Sequence, residues 1–195
     1  MPRAPRPTLD SLLTGALQEE DAETIALIER LRPSRARGHL TRAELLLVAR
    51  WKSPRALPLV ASNSSSRVRR ATETAFRAEN ERERLDALTA LRGISIPTAS
   101  AALTLLDPER YGVIDIRVWR LLRAVRGVEG NPRGAQFTFA QWEQFLAVIR
   151  ELAARHAVSA RTIERTLFAI HTRYSEGPLY GTGGTLRIRG IASRP

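Results

Sequence analysis

Residues 91–119 read LRGISIPTASAALTLLDPERYGVIDIRVW, and no other stretch constrains the fold as strongly. It opens on Leu91-Arg92-Gly93-Ile94-Ser95. Glycine takes positive φ without steric cost, so Gly93 suits a hairpin between two helices. Ser95 stands where it can cap the second helix. Pro97 falls in that helix's first turn, where a missing N–H costs nothing. A short helix rich in Ala and Leu is predicted over 98–106. Its small residues Ala99, Ser100, Ala101 and Ala102 allow another backbone to come close. Asp107-Pro108-Glu109 breaks this helix and Tyr111-Gly112 turns the chain. Asp115 then sits between Val113-Ile114 and Ile116 at the start of the next helix.

Elsewhere the pattern is helical. Residues 9–17 and 21–31 show helical apolar spacing, as in Ile25, Ile28 and Leu31. Residues 33–38 read as a basic break. Thr41 and Glu44 form a capping-box signature ahead of Leu45-Leu46-Leu47-Val48. This helix is apolar nearly all round and is expected in the middle of a bundle. Trp51-Lys52-Ser53 precede Pro54, which disfavours helix in the residue before it, so a loop is expected there. A short helix over 55–60 follows, then a serine-rich loop that caps a helix over 67–78. The helix over 81–91, with Leu85, Leu88 and Leu91 on one face, leads into the hairpin. Beyond Asp115 a helix over 116–125 is expected, and then a loop over 127–134. Thr138 and Gln141 make a second capping box, for a helix reaching 156, and Ser159 caps another reaching 174. Residues 1–7 read as a disordered arm. The glycine-rich tail from 176 reads as irregular, with a short extended piece over 185–188. The fold class is all-α, and there are no repeats and no Rossmann or phosphate-loop glycine pattern.

Leu91, Gly93, Ile94, Thr98, Ala99 and Asp115 occur in a fixed order, with Asp115 22 residues after Gly93. In this the chain resembles the helix-hairpin-helix superfamily of DNA glycosylases, the group of endonuclease III and the adenine and 8-oxoguanine glycosylases. The strong match covers about thirty residues. It departs from the pattern at Ser95, where a second hairpin glycine stands in the family, and at Pro97, where bifunctional members carry lysine. The resemblance implies a two-lobed helical fold. Residues 41–110 would form one lobe, with the hairpin motif at 82–106. Residues 111–175 would form the second, with the helices of 1–40 packed on it and an irregular tail over 176–195. Asp115 would face a cleft between the lobes that receives an extruded nucleotide. The loop at Trp51, Lys52 and Ser53 would supply a side chain that fills the gap in the duplex.

The residues carry their own chemistry beside this resemblance. Backbone amides at Gly93-Ile94-Ser95, at a helix start, suit a phosphate oxygen, with Arg92 and Thr98 adjoining; the competing reading is a plain helix–helix turn. Asp115 is at least a helix N-cap. As a carboxylate beside C1′ it would also stabilise the positive charge that develops when an N-glycosidic bond breaks. Arg117, Arg120, Arg123 and Arg126 recur every three residues and could meet phosphates or simply face solvent. Trp51 could equally be core. His39, His156 and His171 lie far apart with no neighbouring ligand pattern, so no metal site is expected.

Composition bounds the rest. Thirty-one basic against 20 acidic residues give a net charge of +11, which favours a polyanionic partner, here double-stranded DNA. Lys52 is the only lysine, so arginine bias explains the choice of base but not the excess. The absence of cysteine excludes disulfides and a cysteine-ligated iron–sulfur cluster. No cofactor is expected, apart from a monovalent cation at the hairpin. With no membrane span and no apolar leader, a cytoplasmic monomer is expected. The function expected is a monofunctional DNA repair glycosylase with Asp115 as catalyst, since a lyase needs an amine and Pro97 has none. Lys52 is the one lysine that could serve lyase chemistry, with the N-terminal amine as the alternative. The alternatives are a non-catalytic DNA-binding protein of the same fold, and a helical protein whose charge is arginine bias alone.

Overall fold

The computed structural model describes residues 8–176 and 187–188. The expected arm at 1–7 and most of the glycine-rich tail lie outside them. Among the described residues every regular element is a helix, apart from a two-residue antiparallel pairing of Ser175 with Ile188 and Glu176 with Arg187. No helix among the described residues is long and apolar enough to cross a membrane.

The helices fall into two compact units, residues 20–113 and residues 1–19 with 114–195. This differs from the expected boundary, because residues 20–40 belong with the hairpin. The reason lies in α2 (Ala22–Leu31), which packs on the hairpin's second helix. Its N-cap, Asp21, accepts from the Thr24 amide at 2.8 Å and from its hydroxyl at 3.0 Å. Thr24 is buried and accepts from the Trp51 indole N–H at 3.2 Å.

In the first unit, the basic stretch expected as a break forms a helical turn, α3 (Pro33–Arg37). Proline at its first position is compatible with helix, and Gly38, at φ +76°, ends it. The Thr41–Glu44 capping box is formed and opens α4 (Arg42–Lys52). A single 3-10 turn (Pro54–Ala56), α5 (Leu57–Ala61), α6 (Ser65–Arg77), α7 (Glu81–Thr89) and α8 (Ile96–Leu106) complete the unit. The helix buried all round is α8, not α4. Every residue from Thr98 to Leu106 is buried, whereas α4 buries only Leu45, Val48 and Ala49. Alanine, serine and threonine along α8 keep its girth small, so α2, α4 and α7 all reach it.

The second unit holds α1 (Leu9–Leu13), α9 (Ile116–Ala124), α10 (Phe139–His156) and α11 (Ala160–Tyr174). Its core is Trp119, Trp142, Phe145, Ile149, Leu152, Ile163 and Leu167, all at 0% exposure. Burying an aromatic or branched apolar side chain contributes about 1.5–3 kcal/mol each. Thr138 and Gln141 form the second capping box as expected. The loop between α9 and α10 is fastened by Asn131, whose carbonyl accepts from the Trp119 indole N–H at 2.9 Å and whose Oδ1 accepts from the Gly134 amide at 3.1 Å. The segment after α1 is tied to α11. The Gln18 amide donates to Thr166 Oγ1 at 3.0 Å, and Arg165 Nε donates to the Glu19 carbonyl at 2.6 Å.

Candidate nucleic-acid interface and the Asp115 site

The hairpin forms between α7 and α8, with Gly93 at φ +78°. Two constraints require glycine there. An L side chain is disfavoured at that φ, and a Cβ would stand 2.8 Å from Leu59 Cβ and 2.9 Å from the Val60 amide nitrogen. The turn therefore lies directly on α5. Ser95 occupies the N-cap position of α8, but its side chain makes no cap bond to the backbone. Its Oγ lies 3.3 Å from Thr98 Oγ1. Arg92 and Ser95 are exposed, whereas Ile94 and Thr98 are buried. The Ile94 amide donates to the Leu91 carbonyl at 3.2 Å, so it closes the turn rather than pointing outward. Of the hairpin side chains expected at DNA, Thr98 is turned inward, because α8 is enclosed.

The turn is held by Asn63, from the serine-rich loop, and by Arg67, from the first turn of α6. Asn63, 2% exposed, brackets the peptide of Arg92. Its Oδ1 accepts from the Arg92 amide at 3.0 Å and its Nδ2 donates to the Arg92 carbonyl at 2.9 Å. Arg67 donates to the Ala90 carbonyl at 2.7 Å. The carbonyls of Ala90, Leu91 and Arg92 thus all accept protein hydrogen bonds.

Trp51 and Lys52 form the last turn of α4 rather than a loop, and Ser53 ends the helix with φ −151° and ψ 74°. That departure from helical ψ agrees with Pro54, which disfavours the helical conformation in the residue before it. Lys52 at a helix C-terminus complements the helix dipole. Trp51 is half-buried through its bond to Thr24, which makes it part of the unit's packing.

Asp115 is the N-cap of α9, with extended backbone at φ −136° and ψ 153°. Its Oδ1 accepts from the Arg117 amide at 2.9 Å. The carboxylate is half-buried. Arg117 and Arg120 are half-buried too, and neither is a plain surface charge. The Arg117 guanidinium lies over the Phe168 ring of α11, 5.0 Å from its centroid. Arg120 Nε donates to the Arg133 carbonyl at 3.2 Å. Arg126 lies beyond the helix, exposed and at φ +60°.

No family model matches the chain, and no curated protein and no solved structure is detectably similar to it.

One residue near Asp115 escaped sequence reading altogether. His171, in the last turn of α11, is 1% exposed, and neither ring nitrogen has a hydrogen-bond partner among the described residues. Burial first, then the Arg117 and Arg120 charges, push its pKa down from 6.5 to about 4, while Asp115 pulls the other way. The ring is therefore neutral near pH 7. The signal in the sequence was the helical spacing of Ile163, Leu167 and His171, which places the histidine on the buried face of its helix. Among the described residues no group of His, Cys, Asp or Glu could hold a metal ion.

Proposed function

We propose that the chain is a helix-hairpin-helix DNA glycosylase-like protein. It would extrude a damaged or mispaired base from double-stranded DNA and hydrolyse its N-glycosidic bond, acting as a monomer in the cytoplasm. One observation carries the reading. A helix hairpin that requires glycine is followed, at the spacing of that superfamily, by Asp115 at the N-cap of α9 with its carboxylate oriented by a backbone amide.

The chemistry follows from those positions. Exposed Arg92 and the start of α8 would meet phosphate oxygens. Leaving the stack costs a base a few kcal/mol, least when it is damaged or mispaired. Cleavage of the base–sugar bond leaves positive charge on the sugar, and a preoriented carboxylate stabilises it. Groups of this kind are worth about 3–4 kcal/mol. Water then supplies the hydroxyl at C1′, and an abasic site remains. Strand cleavage would need an amine that can lose its proton. With Pro97 at the motif position, Lys52 is the one lysine that could supply it, so the proposal is a monofunctional enzyme.

A second reading, a non-catalytic DNA-binding protein of the same fold, is favoured by the packing of Gly93 on α5, which accounts for the glycine without any ligand. A panel of lesion-bearing duplexes separates the two. Release of a base from any member supports the glycosylase. Binding without release across the panel supports the second reading. Borohydride treatment of the active duplex should trap no covalent adduct; an adduct lost in Lys52→Arg would assign lyase chemistry to Lys52.

A further inference from the structure

We propose that one face of α6 is a second phosphate-contact surface, which runs on from the hairpin and takes the backbone of a DNA duplex. The inference rests on the DNA-binding part of the reading above and needs no base excision.

Its ground is which arginines share a face. Val68, Thr72 and Ala75 are buried and pack α6 into its unit. Arg67, Arg70, Thr74 and Arg77 follow one another at spacings of three and four, so they line a single stripe of the helix. All four are exposed. The helix contains one acid, Glu73, and that acid is occupied elsewhere. Arg69 Nε donates to it at 2.8 Å, and His39 Nδ1 lies 3.7 Å from it. Arg77 acts on Glu73 only at longer range. The guanidiniums of Arg70 and Arg77 have no hydrogen bond and no ion pair among the described residues. Other arginines of the same unit are matched by acids: Arg37 by Glu44, Arg82 by Asp86 and Arg84 by Glu81.

The stripe begins at the hairpin. Arg67 donates to the Ala90 carbonyl at 2.7 Å, two residues before the exposed Arg92. Asn63, just ahead of the α6 N-cap Ser64, brackets the Arg92 peptide. The turn and the start of α6 are therefore fastened to each other. From Arg67 to Arg77 the helix rises roughly 15 Å, at about 1.5 Å per residue. That is about four base steps of duplex at 3.4 Å each. Like charges at these spacings repel on a helix, so the stripe works against folding. Phosphates would neutralise it and release the counterions condensed on DNA. Arginine and threonine meet phosphate oxygens whatever the base sequence, so this surface supplies affinity and orientation and leaves base choice to other groups.

Anisotropy of a labelled, lesion-free duplex tests this between about 50 and 200 mM salt. Replacing Arg70 and Arg77 together by alanine should lower the log–log slope by about two, one for each phosphate lost. Across that range wild type should lose about tenfold more affinity than the double variant. Lysine at both positions should restore the slope, because its ammonium binds phosphate as a point charge. Arg30→Ala removes one charge from an exposed site on α2 and should leave the slope unchanged. Circular dichroism checks each fold, and glutamine at both positions repeats the test should alanine disturb α6. An unchanged slope in the folded double variant would overturn the proposal. So would a slope that Arg30→Ala lowers as much per charge, since net charge alone would then account for it. Wild-type affinity indifferent to salt defeats the DNA-binding reading itself, and the α6 surface with it. Salt-dependent binding that the double variant leaves untouched defeats the α6 surface alone. A lesion panel without any excision defeats the glycosylase reading and leaves the α6 result standing.

Discussion

The side chain of Asn63 and the backbone of Arg92 form a reciprocal pair, with Oδ1 accepting from the amide at 3.0 Å and Nδ2 donating to the carbonyl at 2.9 Å. The same Nδ2 also donates to the Val60 carbonyl at 2.9 Å. One buried side chain thereby joins the end of α5 to the hairpin turn. Asn63→Ala should lower the stability of the protein by about 2–3 kcal/mol, because it strands buried backbone groups at both places. Urea denaturation followed by circular dichroism measures this. A loss below about 0.5 kcal/mol would mean that the turn holds its shape without Asn63.

Gly93→Ala should be destabilising by more than the roughly 1–2 kcal/mol of the left-handed conformation alone, since the new Cβ also meets α5 backbone at 2.9 Å. Gly38→Ala is the matched control. Gly38 has φ +76° and open space around it, so only the conformational cost applies. Equal losses in the two variants would show that α5 yields to the added methyl.

Asp115→Asn should leave stability within about 0.5 kcal/mol of wild type, because asparagine caps as well as aspartate. Asp115→Ala should cost about 1 kcal/mol through the lost cap. Excision should fall about 10²-fold or more in both if the carboxylate acts on the sugar cation. Single-turnover assays on the best lesion read this directly, and undiminished excision by the asparagine variant would remove Asp115 from the mechanism.

The depressed pKa of His171 has a consequence for stability. The unfolded chain binds a proton here near 6.5, and the folded chain only near 4. Stability is therefore intact above about pH 6.5, declines as pH falls through that window, and loses nothing further from this residue below about 4. The loss is of the order of 1–3 kcal/mol, at 1.36 kcal/mol per pKa unit. Denaturation midpoints at pH 7 and pH 4.5 should differ less in His171→Gln than in wild type.

Duplex affinity should fall steeply with salt, by roughly one unit of log–log slope per phosphate contacted. Arg92→Ala should reduce that slope by about one, since Arg92 is exposed at the hairpin. Arg120→Ala should act chiefly on stability, because its guanidinium is fastened to the α9–α10 loop. A slope unchanged in Arg92→Ala would place the phosphate contacts elsewhere on the chain.

The helices themselves were legible from the chain, because their signals are local. Both capping boxes, the Gly93 turn and the N-cap role of Asp115 depend on residues within a few positions of one another, and all four are formed. The stretch over 33–38 was misread for an equally local reason. Its proline stands at a helix start, where it is tolerated, and Gly38 closes the turn. Local signals do not rank helices by burial. An apolar run in α4 outweighed the small residues of α8, yet α8 became the enclosed helix because its slimness lets three others approach.

What tertiary structure alone decided is where polar groups find partners. Asn63 and Arg92 are 29 positions apart, Trp51 and Thr24 are 27 apart, and only folding shows that each pair meets. It also placed residues 20–40 with the hairpin and brought His171 beside the first turns of α9. Sequence determined the helices and their ends because caps, glycines and apolar spacing act within one or two turns. The buried hydrogen bonds and the charge around Asp115 depend on helices distant in sequence, whose approach is set by the volume of the core between them.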